Sequence, residues 1–155
     1  MNNPTYADNG DMFVDYRPKV KTQSIPAINV YWDVSYSFDD PKKTEGARSA
    51  IATLNKYVRQ GKIIIKTWYV GSIVTNSMNK INSGNKAGAN GDAIIKHVQA
   101  TKPDNVIIIT DSDADNVSGE AEVPGAVWYL FYGSTAPRLV QALTGKKETK
   151  EYLID

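Results

Sequence analysis

Asp33, Ser35 and Ser37 form an Asp-x-Ser-x-Ser run directly after the apolar stretch 27–32, Ala-Ile-Asn-Val-Tyr-Trp. Side chains two apart leave a strand on the same side, so one carboxylate and two hydroxyls can converge where the strand opens into a loop, while Val34 and Tyr36 turn aside. A second acidic segment, Asp111-Ser-Asp113-Ala-Asp115, follows another apolar stretch, 105–110. Carboxylates and hydroxyls are hard oxygen donors, suited to Mg²⁺ first and to Mn²⁺ or Ca²⁺ as alternatives; so small a set leaves room for waters and for an oxygen from outside. Two such loops can share one divalent cation if the strands before them are neighbours.

The elements that must position these loops alternate between strand and helix. The run 27–32 is nearly continuous in apolar residues, as expected of a strand covered on both faces. Asp40-Pro41 and Thr44 offer helix starts, and Ala47, Ala50, Ile51, Leu54 and Val58 recur at helical spacing until Gly61 stops the pattern. Residues 62–70 read as a strand, with only a tight turn before the short apolar piece 72–75, which predicts an antiparallel hairpin. A glycine-rich loop follows at 82–91, and Asp92 is placed to cap a helix through Ala93, Ile94, Ile95 and Val98. Residues 106–109 form a buried-looking strand, 126–132 another, and 136–143 a last helix ended by Gly145; 116–124 reads as a loop. Tyr152, Leu153 and Ile154 of the charged tail are expected to tuck back. The order implies an α/β protein with an open, mostly parallel sheet and one antiparallel hairpin strand. In such sheets the functional crevice lies outside the carboxyl ends of the strands, which is where both acidic loops fall.

Composition agrees with one soluble globular domain. The chain has 155 residues, 41% hydrophobic and 23% charged, enough for a single core without staples. It divides into an N-terminal arm, 1–24, and a domain, 25–155. The arm is polar but carries Tyr6, Met12, Phe13, Val14 and Tyr16, side chains that a solvated tail does not need, so it is expected to pack across its own domain. A formal charge of +1 supplies no net field for nucleic acid or an anionic membrane. With 0 cysteines, disulfides and thiolate metal sites are excluded. No apolar run approaches the roughly 20 residues of a membrane span, and the first residues lack a secretory pattern, so a cytoplasmic protein is expected, in the host cytoplasm if the product is viral.

With the Asp-x-Ser-x-Ser run after the first strand and Thr110-Asp111 ending a later apolar strand, the sequence resembles the von Willebrand factor type A (vWA) family over most of residues 25–143. The resemblance implies a Rossmann-like, doubly wound sheet carrying a metal-ion-dependent adhesion site (MIDAS). Asp33, Ser35 and Ser37 match its first metal-binding loop and Asp111 its distal acidic residue. Ala89 or Asn90 stands where the family carries a threonine; Asn90, Asp92 and Asp113 are therefore further candidate ligands. What this implies functionally is protein binding through a metal completed by an acidic residue of a partner. Intracellular members serve as adaptors in multiprotein assemblies, including with AAA+ ATPases. Tyr36, between the two serines, is a candidate partner contact.

A competing resemblance is to the Toprim domain, through the Asp-x-Asp pattern at Asp111 and Asp113, which implies Mg²⁺-dependent phosphoryl transfer on nucleic acid. That family needs a glutamate after an early strand, and Asp33 would have to stand in for it. A haloacid-dehalogenase-like phosphatase would need an aspartate at Ser35. No nucleophile and base pair can be assembled, so the chain reads as a binding module without catalytic residues. The sole histidine, His97, is expected at a helix surface or end, and Trp32, Trp68 and Trp128 within the strands; Trp128, Tyr129, Phe131 and Tyr132 could instead expose an aromatic row.

Overall fold

The computed structural model describes residues 25–35, 40–110, 114–131, 137–144 and 150–153. The first strand, β1 (Ala27–Asp33), is central and buried along almost its whole length. It pairs in parallel with β2 (Ile64–Val70) on one side and with β4 (Asn105–Thr110) on the other. β3 (Val74–Thr75) pairs antiparallel to the end of β2, which is the expected hairpin. β5 (Val127–Phe131) and β6 (Lys150–Leu153) extend the far side in parallel. The result is one six-stranded sheet in the order β3-β2-β1-β4-β5-β6.

Each face of this sheet carries its own hydrophobic cluster, because alternate residues of β1 leave on opposite sides. Ile28, Val30 and Trp32 pack with Ile107 and Ile109 of β4 against Ala47, Ala50, Ile51 and Leu54 of α1 (Pro41–Arg59). Tyr31 packs on the other face with Ile94, Ile95 and Val98 of α2 (Gly91–Thr101) and Leu139 and Leu143 of α3 (Pro137–Thr144). Burying each large aliphatic side chain contributes about 1.5–3 kcal/mol, so both faces are needed to hold the layers together.

The helix ends follow from local chemistry. Asp40 accepts from the Lys42 amide at 2.8 Å, and Pro41, lacking an amide hydrogen, opens α1. Gly61, at φ +74°, takes the chain out of α1 in a conformation that other residues adopt at a cost. Asp92 does not cap α2. Asn90 does, accepting from the Ala93 amide at 3.2 Å. The glycine-rich segment is less open than its composition suggests, since a 3₁₀ turn forms within it at Ser83–Ala87, after another just before it at Met78–Lys80.

The tail does more than tuck back: Lys150–Leu153 adds a strand beside β5. Four residues behind a charged run give too short an alternation to signal a strand; the open edge of β5 supplies the pairing. The arm, residues 1–24, lies outside the described residues, as do Tyr132 and the side chains of Trp128, Tyr129 and Phe131. Among the described residues, no helix is long and apolar enough to cross a membrane.

Candidate functional site

Because β1 and β4 are adjacent and parallel, with Trp32 level with Ile109, their last residues meet at the carboxyl edge of the sheet. The Thr110 hydroxyl donates to Asp33 Oδ2 at 2.7 Å, and the Ser35 amide donates to Asp33 Oδ1 at 2.8 Å. Asp33 and Ser35 are each 3% exposed and Thr110 is 4% exposed. Burying a carboxylate is costly unless its oxygens are hydrogen-bonded, and these two donors meet that requirement from neighbouring strands. Thr110 was not among the sequence candidates. Its signal is a hydroxyl ending an otherwise apolar strand beside a strand that ends in aspartate.

Beneath Asp33 a void of about 10 Å³, near the size of one water, is bordered by Ala89, Thr110 and Ala114. Ala89, one of the two residues standing where the vWA resemblance expects threonine, borders this void together with Asp33, and its methyl group offers no ligand atom. The bonds of Asn90 and Asp92 run elsewhere. Asn90 caps α2 and also donates to the Ser72 carbonyl at 3.3 Å. Asp92 accepts from the Ser118 hydroxyl at 2.6 Å, the Ser118 amide at 2.9 Å and the Gly119 amide at 3.0 Å. These bonds, the Ser118 hydroxyl first, hold its carboxyl below the ordinary carboxylate range. Asp92 thus orders the loop after β4. Asp115, exposed, forms a backbone bridge with Asn90. Tyr36, Ser37, Asp111 and Asp113 lie outside the described residues.

The oxygens gathered here are the Asp33 carboxylate and the Thr110 hydroxyl, hard donors that suit a divalent cation such as Mg²⁺ and not a thiophilic metal. Among the described residues no three His, Cys, Asp or Glu side chains cluster, so a cation here would draw mainly on hydroxyls, water and residues of the two flanking loops. On the α1 side of Asp33 a cleft of about 150 Å³ opens between Trp32, Val34, Met78 and Ile81, with Arg48 and Lys86 at its wall. Its chemistry is an apolar floor beside two cations.

His97 is not a simple surface residue. Its Nδ1 lies 2.8 Å from the Tyr31 hydroxyl, and its ring centroid is 4.0 Å from that of Trp68. Asn29 Nδ2 donates to Tyr31 Oη and to Thr101 Oγ1, both at 2.9 Å, and the Thr101 hydroxyl donates to the His97 carbonyl at 2.7 Å. Burial pushes the Tyr31 phenol up to about 12, against the opposing bonds of Asn29 and Thr101, and burial holds His97 below its ordinary value. Both shifts favour neutral groups, with the Tyr31 hydroxyl donating to an unprotonated Nδ1. This network satisfies Asn29 inside an otherwise apolar strand. Its bonds tie β1 to α2 rather than reaching Asp33.

No protein-family model matches the chain, and no curated protein matches it. The fold and site define an α/β protein with a mostly parallel sheet and a buried carboxylate at the carboxyl edge of its central strand.

Proposed function

We propose that the chain is a vWA-like protein-binding module, an adaptor in a multiprotein assembly, that uses a divalent cation to engage an acidic residue of its partner. The observation that carries this reading is the junction of Asp33 with Thr110, which joins the ends of the two strands that precede the Asp-x-Ser-x-Ser run and Asp111. Strand order gives further support. A sheet that runs outward from β1 in both directions leaves a crevice between the loops after β1 and β4, the place where open α/β sheets hold ligands, in keeping with a Rossmann-like, doubly wound domain. In this reading Asp33, Ser35, Ser37 and Asp111 hold the cation, which supplies an open, oxygen-seeking position. Ala89 leaves the set one ligand short of the family pattern, so the protein must orient the cation through fewer direct bonds. The cleft beside Asp33 favours an acidic partner, since Arg48 at its wall attracts carboxylates and Trp32, Met78 and Ile81 accept an apolar neighbour.

Titration calorimetry with Mg²⁺, Mn²⁺ and Ca²⁺ tests the site. Wild-type protein should bind at least one cation and Asp33→Ala should not; equal binding by the variant would sink the reading. Mg²⁺-dependent nicking of DNA that is lost in both Asp111→Ala and Asp113→Ala would replace it with a Toprim-like enzyme.

A further inference from the structure

The formal charge of +1 conceals an uneven division along the chain. Residues 41–91 hold nine of the 18 Lys and Arg but only one, Glu45, of the 17 Asp and Glu. These residues build α1, β2, β3 and the two 3₁₀ turns, so β1 separates their strands from β4, β5 and β6. One flank of a nearly neutral molecule is therefore strongly basic, and a local field of that sign concentrates polyanions.

The cations gather where α1 returns toward β2. Packing of Ala47, Ala50, Ile51 and Leu54 on the sheet turns the remaining rows of α1 outward. At about 100° per residue Lys56 stands opposite Ala47, while Arg48 and Arg59, three turns apart, share one flank roughly 16 Å long. Just past the turn at Gly61, Lys62 sets its Nζ 5.9 Å from the centre of the Tyr57 ring. The end of α1 thus carries Lys56, Arg59 and Lys62, all exposed, around an aromatic side chain that is 43% exposed. Among the described residues, no ion pair engages these three cations. Ser49, Thr53, Asn55 and Gln60, also exposed, add uncharged polar groups along the same helix. Because Ala27 is level with Ile64, this end of α1 lies at the amino edge of the sheet, and β1 runs about 20 Å from there to Asp33.

We propose that this face binds single-stranded nucleic acid, with Arg48, Lys56, Arg59 and Lys62 on its phosphates and Tyr57 stacked on a base. Phosphates are contacted by Lys and Arg together with Ser, Thr, Asn and Gln, the residue types exposed here. An aromatic ring set among cations is a platform for an unpaired base, which a duplex does not offer. An acidic protein fits less well. Protein interfaces are depleted in Lys and organised around apolar and aromatic anchors in pockets, whereas these charges are spread over a convex helix. A membrane fits less well still, since a helix lying on one buries an apolar face, and from 48 to 60 the exposed positions of α1 are polar apart from Ala52 and Tyr57. The proposal does not depend on a cation at Asp33.

Fluorescence anisotropy of a labelled oligothymidylate of about 16 nucleotides tests this in the full-length chain, with EDTA present so that no divalent cation contributes. Binding should weaken from about 50 to 200 mM salt with a log–log slope near −0.7 for each phosphate neutralised. The triple variant Lys56→Gln, Arg59→Gln, Lys62→Gln should make that slope shallower by about 2. Tyr57→Ala should weaken binding about 5- to 100-fold. Lys96→Gln with Lys102→Gln, on the helix that covers the other face, should change neither quantity, and thermal melting checks that each variant folds. Absence of binding at low salt would overturn the proposal, as would an equal loss in the α2 variant. Polyglutamate that competes equally per charge, with Tyr57→Ala unaffected, would assign the face to an acidic protein. Capture by phosphatidylserine vesicles without capture of the oligonucleotide would assign it to a membrane. Either result would overturn the proposal.

Discussion

Thr110→Val removes one hydroxyl and preserves the shape of the side chain, so it isolates the bond that joins β4 to the candidate site. The bond is 2.7 Å long and both groups are buried, at 4% exposure for Thr110 and 3% for Asp33. Hydrogen bonds to charged groups contribute about 1.5–3 kcal/mol, and a buried carboxylate that loses a donor bears a desolvation cost of similar size. Ser35 still donates to the other oxygen, which keeps the loss within that range. For a chain of this length the melting temperature falls roughly 2–4 °C per kcal/mol, which gives a decrease of about 3–12 °C. Thr110→Ser keeps the hydroxyl and deletes a methyl group, so its loss should be the smaller, about 0.5–1.5 kcal/mol. Urea unfolding at constant m-value supplies the assay. If Thr110→Val matched wild type, or if Thr110→Ser were the more damaging, the carboxylate would not depend on β4 and the argument joining the two acidic loops would fail.

Two further tests address the parts of the fold that the sequence misassigned. Burial holds His97 below 6.5, so the unfolded chain takes up its proton first as pH falls; the stability present above that pH is lost below it, and His97→Gln should remove this slope from urea midpoints measured between pH 8 and pH 5. Asn90→Ala should cost about 0.5–2 kcal/mol by uncapping α2; Asp92→Ala should instead speed amide exchange at Ser118 and Gly119 and leave the start of α2 protected, and the opposite pattern would restore Asp92 as the cap.

The sheet was legible where one period dominated. β1 and β4 are apolar at nearly every position because both faces are covered, and α1 announces itself by a capped start, a helical stripe and Gly61. β6 was not legible, because a strand of four residues gains its place from the hydrogen-bonding edge of β5 and not from its own pattern. The same applies to His97. Its setting depends on Asn29 and Thr101, separated by 72 positions, and no local pattern shows that a helix will turn that ring toward the buried hydroxyl of Tyr31.

At the site, the sequence marked the loops but not the bond between them. Spacing alone could select Asp33 and Ser35, since a period of two sends them to one side, yet whether Asp33 meets Thr110 depends on strand order, which lies outside any local window. Ala89 borders the void next to Asp33, while Asn90 is committed to α2. A methyl group there has a chemical consequence. It offers no oxygen ligand and borders a space near the size of one water beside the carboxylate, so under the proposed function a cation at Asp33 would complete its shell from solvent or from the partner. In the proposed function, a partner oxygen that completes this shell links the two events: metal and partner should each strengthen the other's binding by the same factor, as thermodynamic linkage requires.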